Sequence, residues 1–422
     1  MTASLQACAA RAALSLSLVG GLLAGTASVT LAQVPSGCSV FASGLAAPRF
    51  VTVDPTNNDV IYVTEAGTGG ADAIARPAQL PPQVPVASNR GLSGRVTRLG
   101  PGAARSAISA NLPSYASPTE QGGAAGLAVS GGNVIVAVGN PGPLTPFVSP
   151  LANDASVLRI PIATVGVATK IADIGAIERD RNPDPNAVDT NLYGLAIAPN
   201  GTIYVVDAGG NAVYRVNPTT GAADVLAVIP GLPSPQPNPA RGGRNEMDPV
   251  PTGIAVGADG NLYVGLLSGA PFPEGAAKVL RITPTGQISD FATGLTAVTG
   301  VAVGPDRNVY VSEIFRFNPA AAAAGGSPFG PGRVLRVLPN GTTQVVAANL
   351  NTPNGLAFDR AGNLYIATGT VTPDGQILRC ANVAGALALP ATGAGAGLAL
   401  PAAIGAATLL TLAAFALRRR SA

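Results

Sequence analysis

The chain has 422 residues, only 11% of them charged, and a formal net charge of +3 at pH 7. It contains 53 Gly and 38 Pro but no His and no Trp, so an imidazole base and a His metal ligand are both excluded. So many turn-forming residues, without long apolar helical faces in the middle of the chain, favour an all-β fold of short strands.

Residues 1–32 are predicted to be a secretory signal peptide. Arg11 precedes an uncharged apolar run, and small residues before Gln33 suit cleavage at that point. The sequence LQAC, which ends at Cys8, is similar to a lipoprotein box, but it precedes the apolar run, so we do not expect lipidation. Export would carry the mature chain into an oxidising compartment.

A short strand, GCSVFASGL at 37–45, stands before any strand with which it could pair. A repeated unit then follows, in which alternating apolar residues, a polar turn and a second strand ending in Tyr-Val or its equivalent recur. Its copies lie at 49–65, 126–138, 194–207, 253–265, 300–313 and 355–367. Each copy has a third strand, RVTRL, SVLRI, AVYRV, KVLRI, RVLRV or QILRC, and all copies except the last have a fourth strand.

The N-terminal strand is predicted to supply the fourth strand that the last copy lacks. Aligned with QISDFATGL at 287–295, it places Cys38 on Ile288 and Phe41 on Phe291. Six four-stranded antiparallel sheets closed in this way predict a six-bladed β-propeller over residues 33–383, a ring without long open sheet edges.

The cysteines support this closure independently. Cys38 and Cys380 are the only cysteines that remain once the signal peptide is removed. Their equivalents in the fourth copy, Ile288 and Ile282, flank a tight turn and should face each other across a hairpin. We therefore expect a disulfide, which would span 342 residues and contribute at most on the order of 5 kcal/mol in the chain-entropy model. The alternative is a pair of free thiols.

The connections between strands are of two lengths. Those joining first to second and third to fourth strands are short, and they should lie at one end of the ring, here called the short-turn side. The others carry insertions and should lie at the opposite end, the long-loop side: 67–93, 139–155, 175–190, 233–249, 266–277 and 315–331. Long loops on one end of a rigid scaffold predict a binding surface, although neutral insertions are the alternative.

The C-terminus has the three parts of a cell-wall sorting signal. A spacer and the motif LPATG occupy 384–393, an apolar segment follows at 394–417, and a basic tail ends the chain at 418–422. A sortase would cut between the last two motif residues and join the chain to peptidoglycan; the alternative is a plain single-span membrane anchor. The motif residues are Leu389, Pro390, Ala391, Thr392 and Gly393. Processing leaves 21 basic against 22 acidic residues, so no nucleic-acid partner is expected.

Two long segments carry a resemblance to a known family. ADIGAIERDRNPDPNAVDTNLYGLAI at 172–197 and PTGIAVGADGNLYVGLLSGAPFPEGAAKVLRI at 251–282, together with the order of the repeats, resemble the ScyD/ScyE family of exported bacterial propeller proteins. That family is named from a gene cluster for the pigment scytonemin. The resemblance covers 38–383 and implies an exported, NHL-like propeller, but no particular reaction and no necessary link to the pigment.

Calcium-dependent six-bladed lactonases and esterases provide an enzymatic alternative. Oxygen-bearing candidates for a metal on the long-loop side are Glu65, Asp207, Glu313, Thr252, Thr299 and Asn354. TPNGLAF at 352–358 is similar to the lactonase element whose Asn binds calcium, which maps that role to Asn354. The Asp that those enzymes place before a first strand is replaced here by Thr252 or Thr299. The simpler interpretation is that these groups cap strand ends.

The sequence thus predicts a secreted, wall-anchored propeller that acts as a binding or interaction module for an unknown extracellular ligand and requires no cofactor. The alternative is a calcium-dependent hydrolase with its site at the mouth of the central channel. That alternative requires at least three of the six candidate oxygen ligands to meet around one point.

Overall fold

The computed structural model describes residues 34–76, 86–117, 120–139, 150–185, 189–269, 272–318, 327 and 329–385. The chain divides into two units, Met1–Gly385 and Ala386–Ala422, and all described residues belong to the first. The predicted signal peptide, sorting motif, apolar segment and basic tail therefore lie outside the described residues. No helix in the described ranges is long and apolar enough to cross a membrane.

Strands dominate the described chain. In order they are β1 Cys38–Leu45, β2 Pro48–Asp54, β3 Asn57–Glu65, β4 Asp72–Arg76, β5 Val86–Leu99, β6 Arg105–Ala116, β7 Gln121–Ser130, β8 Asn133–Val138, β9 Ser156–Pro161, β10 Thr169–Asp173, β11 Leu192–Ile197, β12 Ile203–Asp207, β13 Ala212–Val216, β14 Ala223–Val228, β15 Leu232–Asn238, β16 Arg244–Met247, β17 Pro251–Val256, β18 Leu262–Leu266, β19 Ala277–Ile282, β20 Ile288–Leu295, β21 Val298–Val303, β22 Val309–Phe317, β23 Phe329–Val337, β24 Thr343–Leu350, β25 Leu356–Phe358, β26 Leu364–Thr368 and β27 Gly375–Cys380. A helix, α1, spans Ile174–Arg181, and 3-10 turns lie at Pro101–Ala103 and Pro239–Arg241.

The strands pair as antiparallel meanders, as the repeat predicts. Separate four-stranded sheets are formed by β11 to β14, by β17 to β20, by β21 to β24, and by β25 to β27 with β1. Apolar side chains that alternate along these strands pack between neighbouring sheets, as Val205 and Tyr214 of one sheet do with Ile135 and Val157 of the sheet before it. Each buried Val, Ile or Leu of this kind contributes roughly 1.5–3 kcal/mol, so packing between sheets is the main source of stability.

The N-terminal strand closes the last sheet, which confirms that prediction. Strand β1 pairs with β27, and Cys38 lies opposite Cys380, as Ile288 lies opposite Ile282 in the earlier sheet. Strands β1 and β20 even show the same order of buried and exposed positions. Leu45 and Ile377 of the closed sheet share an apolar cluster with Val51 of β2, so the two ends of the ring meet in a packed interface.

In the described structure, the sheets of the first and second copies are joined, although the sequence predicts that they are separate. The first and second copies do not form two separate four-stranded sheets, because β6 also pairs with β7 through Ser114–Ala116 and Gln121–Gly123. The result is a single nine-stranded sheet that also contains β4. The physical reason is that β6 is 12 residues long, so its end extends far enough to hydrogen-bond to the start of the next copy.

The first strands of the six copies contact one another in a closed order. Contacts run from β2 to β7, β11, β17, β21 and β25 in turn, and from β25 back to β2. Glycine makes this approach possible: a Cβ on Gly355 would lie 2.5 Å from the Cα of Phe50, and one on Gly300 would overlap the backbone oxygen of Asn354. The described chain is therefore an all-β protein with a propeller-like arrangement of its sheets.

Several long-loop insertions contain regular structure that the sequence analysis expected to be loop. The first insertion contains β4 and the start of β5, the fourth contains the β15 and β16 hairpin, and the last extends β22 and β23. Helix α1 forms within the third, where the Asp173 side chain caps it by accepting a hydrogen bond from Ala176 N at 2.9 Å. These additions extend the long-loop side of the ring.

Candidate functional site

The disulfide predicted between Cys38 and Cys380 is present and confirmed. It joins the outermost strand of the last sheet to its neighbour and links positions 342 residues apart. Arg105 of the adjacent sheet also binds β1, since its guanidinium donates to the backbone oxygens of Ser43 and Gly44. The closure of the ring therefore combines strand pairing, a covalent bond and a polar contact from the next sheet.

Two of the predicted metal ligands, Glu65 and Glu313, are buried and paired with arginines of their own sheets. Glu65 accepts hydrogen bonds from Arg95 Nε and Nη2, both at 2.8 Å, and from Ala46 N at 2.7 Å. Burial would raise the pKa of Glu65, but these hydrogen bonds, with one from Thr97, lower it below its usual range. Glu313 follows the same plan, accepting from Arg333 Nε at 2.6 Å and from Thr296 N at 2.8 Å.

Asp207 is the third buried carboxylate at the end of a second strand. Its oxygens accept hydrogen bonds from the backbone nitrogens of Asn191, Gly209 and Gly210 at 2.7, 3.1 and 3.0 Å, and from the Thr190 hydroxyl. Complete burial raises the pKa of Asp207 despite these donors. All its partners belong to one sheet and its adjoining loop, so Asp207 organises a local turn.

A second buried carboxylate lies beside Asp207. Glu178, on α1, accepts a hydrogen bond from the Tyr214 hydroxyl at 3.0 Å. Burial, and after it the negative charge of Asp207, raises the pKa of Glu178 to about 8. The protein therefore carries a protonated carboxyl in this network at neutral pH. The sequence analysis did not single out Glu178, because its neighbours are brought together only by the fold.

The residues just before the ring glycines occupy equivalent positions near the axis. Strand register gives this set as Arg49, Ala125, Tyr193, Thr252, Thr299 and Asn354. Thr252 donates to Val298 O at 2.7 Å, and Thr299 donates to Pro353 O at 3.0 Å. In both cases the acceptor belongs to the next sheet, so these two threonines link neighbouring sheets.

Tyr193 extends across the interior of the ring. Its hydroxyl accepts hydrogen bonds from Asn354 Nδ2 at 2.7 Å and from Arg49 Nη1 at 3.0 Å. Tyr193 lies in β11 and Asn354 shortly precedes β25, and these two strands lie opposite each other in the order of contacts. The buried Tyr193 ring also contacts Phe50 edge to face. Tyr193 thus connects Arg49 and Asn354 near the axis.

The sequence analysis missed Arg49 and Tyr193, although alignment of the repeats contains a usable signal. In the first copy, RFVTV, Phe50 stands where the other copies have Gly, and Arg49 precedes it. In the third copy, Tyr193 occupies the same position as Thr252 and Thr299. Large polar side chains at a position that is small in most copies indicate which copies contribute polar contacts near the axis.

The predicted metal ligands have separate hydrogen-bond partners in the described structure. Glu65, Asp207 and Glu313 each bind groups of their own sheet or its adjoining loop, and Asn354 binds Tyr193 and Thr370. Among the described residues, no group of three or more Asp, Glu, Cys or His side chains could hold a metal ion. All 22 acidic residues fall within the described ranges. The arrangement offers buried carboxylates paired with arginines, and a polar cluster of Arg49, Tyr193 and Asn354 near the axis.

Comparisons with known proteins give no family. No protein-family model matches the chain, and the search of curated proteins finds no match. Similar solved structures include virginiamycin B lyase from Staphylococcus aureus, 16% identical, covering 79% of this chain and 94% of that one with a TM-score of 0.41.

Two further structures have comparable scores. A protein provisionally described as a gluconolactonase is 14% identical, covers 84% of this chain and 96% of that one, and has a TM-score of 0.48. The PQQ-bound aldose sugar dehydrogenase from Streptomyces coelicolor is 13% identical, with 82% and 98% covered and a TM-score of 0.47. At these identities and TM-scores the likeness assigns no reaction, substrate or metal to this chain.

Proposed function

We propose that the mature protein is a six-bladed β-propeller displayed outside the cell as a binding or interaction module. The blade number is supported by the six first strands that contact one another in a closed order. The nine-stranded sheet then consists of two blades joined at one corner, since β6 and β7 pair only through Ser114–Ala116 and Gln121–Gly123. Membership of the ScyD/ScyE family belongs to the same proposal and is supported by the segments 172–197 and 251–282.

One observation supports a binding role: every carboxylate proposed as a metal ligand already accepts hydrogen bonds from groups of its own sheet or the adjoining loop. Glu65 and Glu313 are buried, and each pairs with a partly exposed arginine, at 2.8 and 2.6 Å. A metal at such a carboxylate would have to compete with the arginine for the same oxygens. The strands added on the long-loop side instead enlarge the surface that a partner can contact.

The alternative, a calcium-dependent hydrolase, is favoured by one specific observation. Asn354 is completely buried, and its Oδ1 has no hydrogen-bond partner among the described residues. An amide oxygen is a suitable calcium ligand. A site there would need additional oxygen ligands, and Thr252 and Thr299 use their hydroxyls to link sheets. We therefore retain the hydrolase as the second candidate.

Calorimetric titration of the secreted protein with calcium, followed by lactone and aryl-ester hydrolysis assays, separates the two candidates. The binding module predicts no stoichiometric heat and no hydrolysis above background. Stoichiometric binding and turnover that are both lost in Asn354→Ala would establish the hydrolase instead. Thr97→Ser, which keeps a hydroxyl beside Glu65, is the control for unspecific effects of substitution near a buried carboxylate.

We further propose that a sortase attaches the chain to peptidoglycan with its short-turn side towards the wall. The segment after β27 packs on the first turn of the last sheet, where Ala384 N donates to Gly362 O at 3.0 Å and Asn382 N donates to Asn363 Oδ1 at 3.1 Å. Only residues 386–388 then precede the sorting motif. The plain membrane anchor remains the alternative.

Mass spectrometry of enzymatically digested cell walls tests the attachment. Sortase processing predicts a C-terminal peptide that ends at Thr392 and carries a wall fragment. A Thr392→Ala variant should lose this peptide and stay with the membrane. Recovery of the unaltered protein from membranes with Arg420 still attached would contradict the proposal and support the single-span anchor.

A further inference from the structure

Arg49 is a buried cation without an acidic partner. Only 3% of its surface is exposed, yet none of the ion pairs in the described structure includes it. Every Asp and Glu of the chain lies within the described ranges, so no acidic side chain elsewhere in the sequence could neutralise it. A buried charge without a counter-charge is costly, and proteins normally pair it.

The guanidinium of Arg49 uses little of its hydrogen-bonding capacity. Nη1 donates to the Tyr193 hydroxyl at 3.0 Å, and the group lies 5.5 Å from the centre of the same ring. A guanidinium has five N–H donors arranged as a planar fork. Its other nitrogens form no hydrogen bond within the described structure, so most of the fork is left for a ligand.

Asn354 contributes a second uncommitted polar group beside Arg49. Both side chains bind the same Tyr193 hydroxyl, so their ends lie close together. One amide atom of the completely buried Asn354 has no partner in the described structure. If the amide is turned over, its oxygen accepts from Tyr193 and Thr370, and its NH2 becomes the uncommitted end. In either orientation one hydrogen-bonding atom remains for a ligand.

We propose that Arg49 and Asn354, held in place by Tyr193, form a site on the propeller axis for a small carboxylate. The forked guanidinium matches the two oxygens of a carboxylate. The negative charge of that carboxylate would compensate the buried positive charge of Arg49. A hydroxyl on the ligand can donate or accept, so it satisfies Asn354 in either amide orientation. The preferred ligand class is therefore a small hydroxycarboxylate, bound without any metal.

This site does not depend on the proposed surface role. It uses residues at the axis, whereas the interaction surface consists of the long loops and added strands. The absence of carboxylate binding would leave the binding module and its wall attachment unchanged. Likewise, failure of the wall attachment would not affect an assay on the secreted protein.

The test is calorimetric titration of the secreted protein at low ionic strength with acetate and with lactate, using sodium chloride at matched ionic strength as the reference. We expect saturable binding of both, several-fold tighter for lactate. Arg49→Gln should weaken binding at least tenfold. Arg281→Gln, which removes an exposed arginine of β19 and therefore changes the net charge equally, should bind like the wild type.

A second variant keeps the test decisive if Arg49→Gln fails to fold. Asn354→Asp places a carboxylate beside Arg49 within the chain, so it should abolish acetate binding while leaving the protein folded. Three results would overturn the proposal: no saturable acetate binding to the wild type, equal binding to Arg49→Gln, or binding of inorganic phosphate without binding of acetate. The last would show that the site does not select carboxylates.

Discussion

Removal of the Cys38–Cys380 disulfide should lower the thermal stability of the ring without abolishing its fold. The double variant Cys38→Ser/Cys380→Ser deletes the covalent bond and leaves the pairing of β1 with β27 and the contacts of Arg105 intact. The native sheet is therefore still formed in the variant. The change acts mainly on the unfolded chain, which gains freedom once its ends are no longer joined.

The magnitude follows from the position of the bond. A closed loop of 342 residues corresponds to a stabilisation on the order of 5 kcal/mol in the chain-entropy model. Unfolding a ring of roughly 350 residues near 60 °C carries an entropy of about 0.7 kcal/mol/K. Dividing the first quantity by the second predicts that the midpoint of thermal unfolding falls by about 7 °C.

Differential scanning calorimetry with and without reductant measures this effect. The reduced wild type should unfold at the same temperature as the double variant, and reductant should not change the variant. Mass spectrometry of the unreduced wild type should find no free thiol. Two free thiols, or unfolding midpoints that differ by less than about 1 °C, would refute the reasoning that the bond closes and stabilises the ring.

Three other predictions use single substitutions or intact cells. Because burial and a neighbouring buried carboxylate raise the pKa of Glu178 from 4.5 to about 8, the folded protein holds a proton that the unfolded chain releases. The free energy of unfolding, measured with denaturant, should therefore fall by up to about 1.4 kcal/mol per pH unit between pH 6.5 and 8, and Glu178→Gln should remove most of this slope; equal slopes contradict the burial argument. Gly300→Ala forces a Cβ against the backbone of the next sheet and should destabilise by about 1–3 kcal/mol, whereas Gly330→Ala, with ordinary contacts in β23, should stay within about 0.5 kcal/mol; similar losses would mean that the ring is not tightly closed. On intact cells, proteases should cut within 67–93 much faster than at the turn near Asn200, and equal rates would contradict the proposed orientation.

The closure of the ring could be predicted from the sequence because it depends on local patterns that repeat. The strand at 37–45 matches the fourth strands of other copies, and Cys38 and Cys380 fall on positions that face each other in an ordinary hairpin. An apolar residue at every second position and a short polar turn after each strand are both properties of the local sequence. They therefore remain visible without knowledge of the tertiary structure.

The candidate site could be predicted only in part, because its contacts join distant residues. Alignment placed Glu65 and Glu313 at the ends of second strands, but it did not indicate that arginines of their own third strands pair with them. The meeting of Arg49, Tyr193 and Asn354 depends on the diameter of the ring, which no single repeat encodes. The strands in the insertions were missed because proline and glycine there reduced the local β signal.

A crystal structure of the secreted protein grown with excess calcium tests the proposed architecture and function together. Six sheets around the axis are expected, with β1 closing the last one, Tyr193 bound to Arg49 and Asn354, and no calcium at the channel mouth. A calcium ion held by Asn354 with Glu65, Asp207 or Glu313 turned towards it, or a ring with fewer than six sheets, would contradict the proposal.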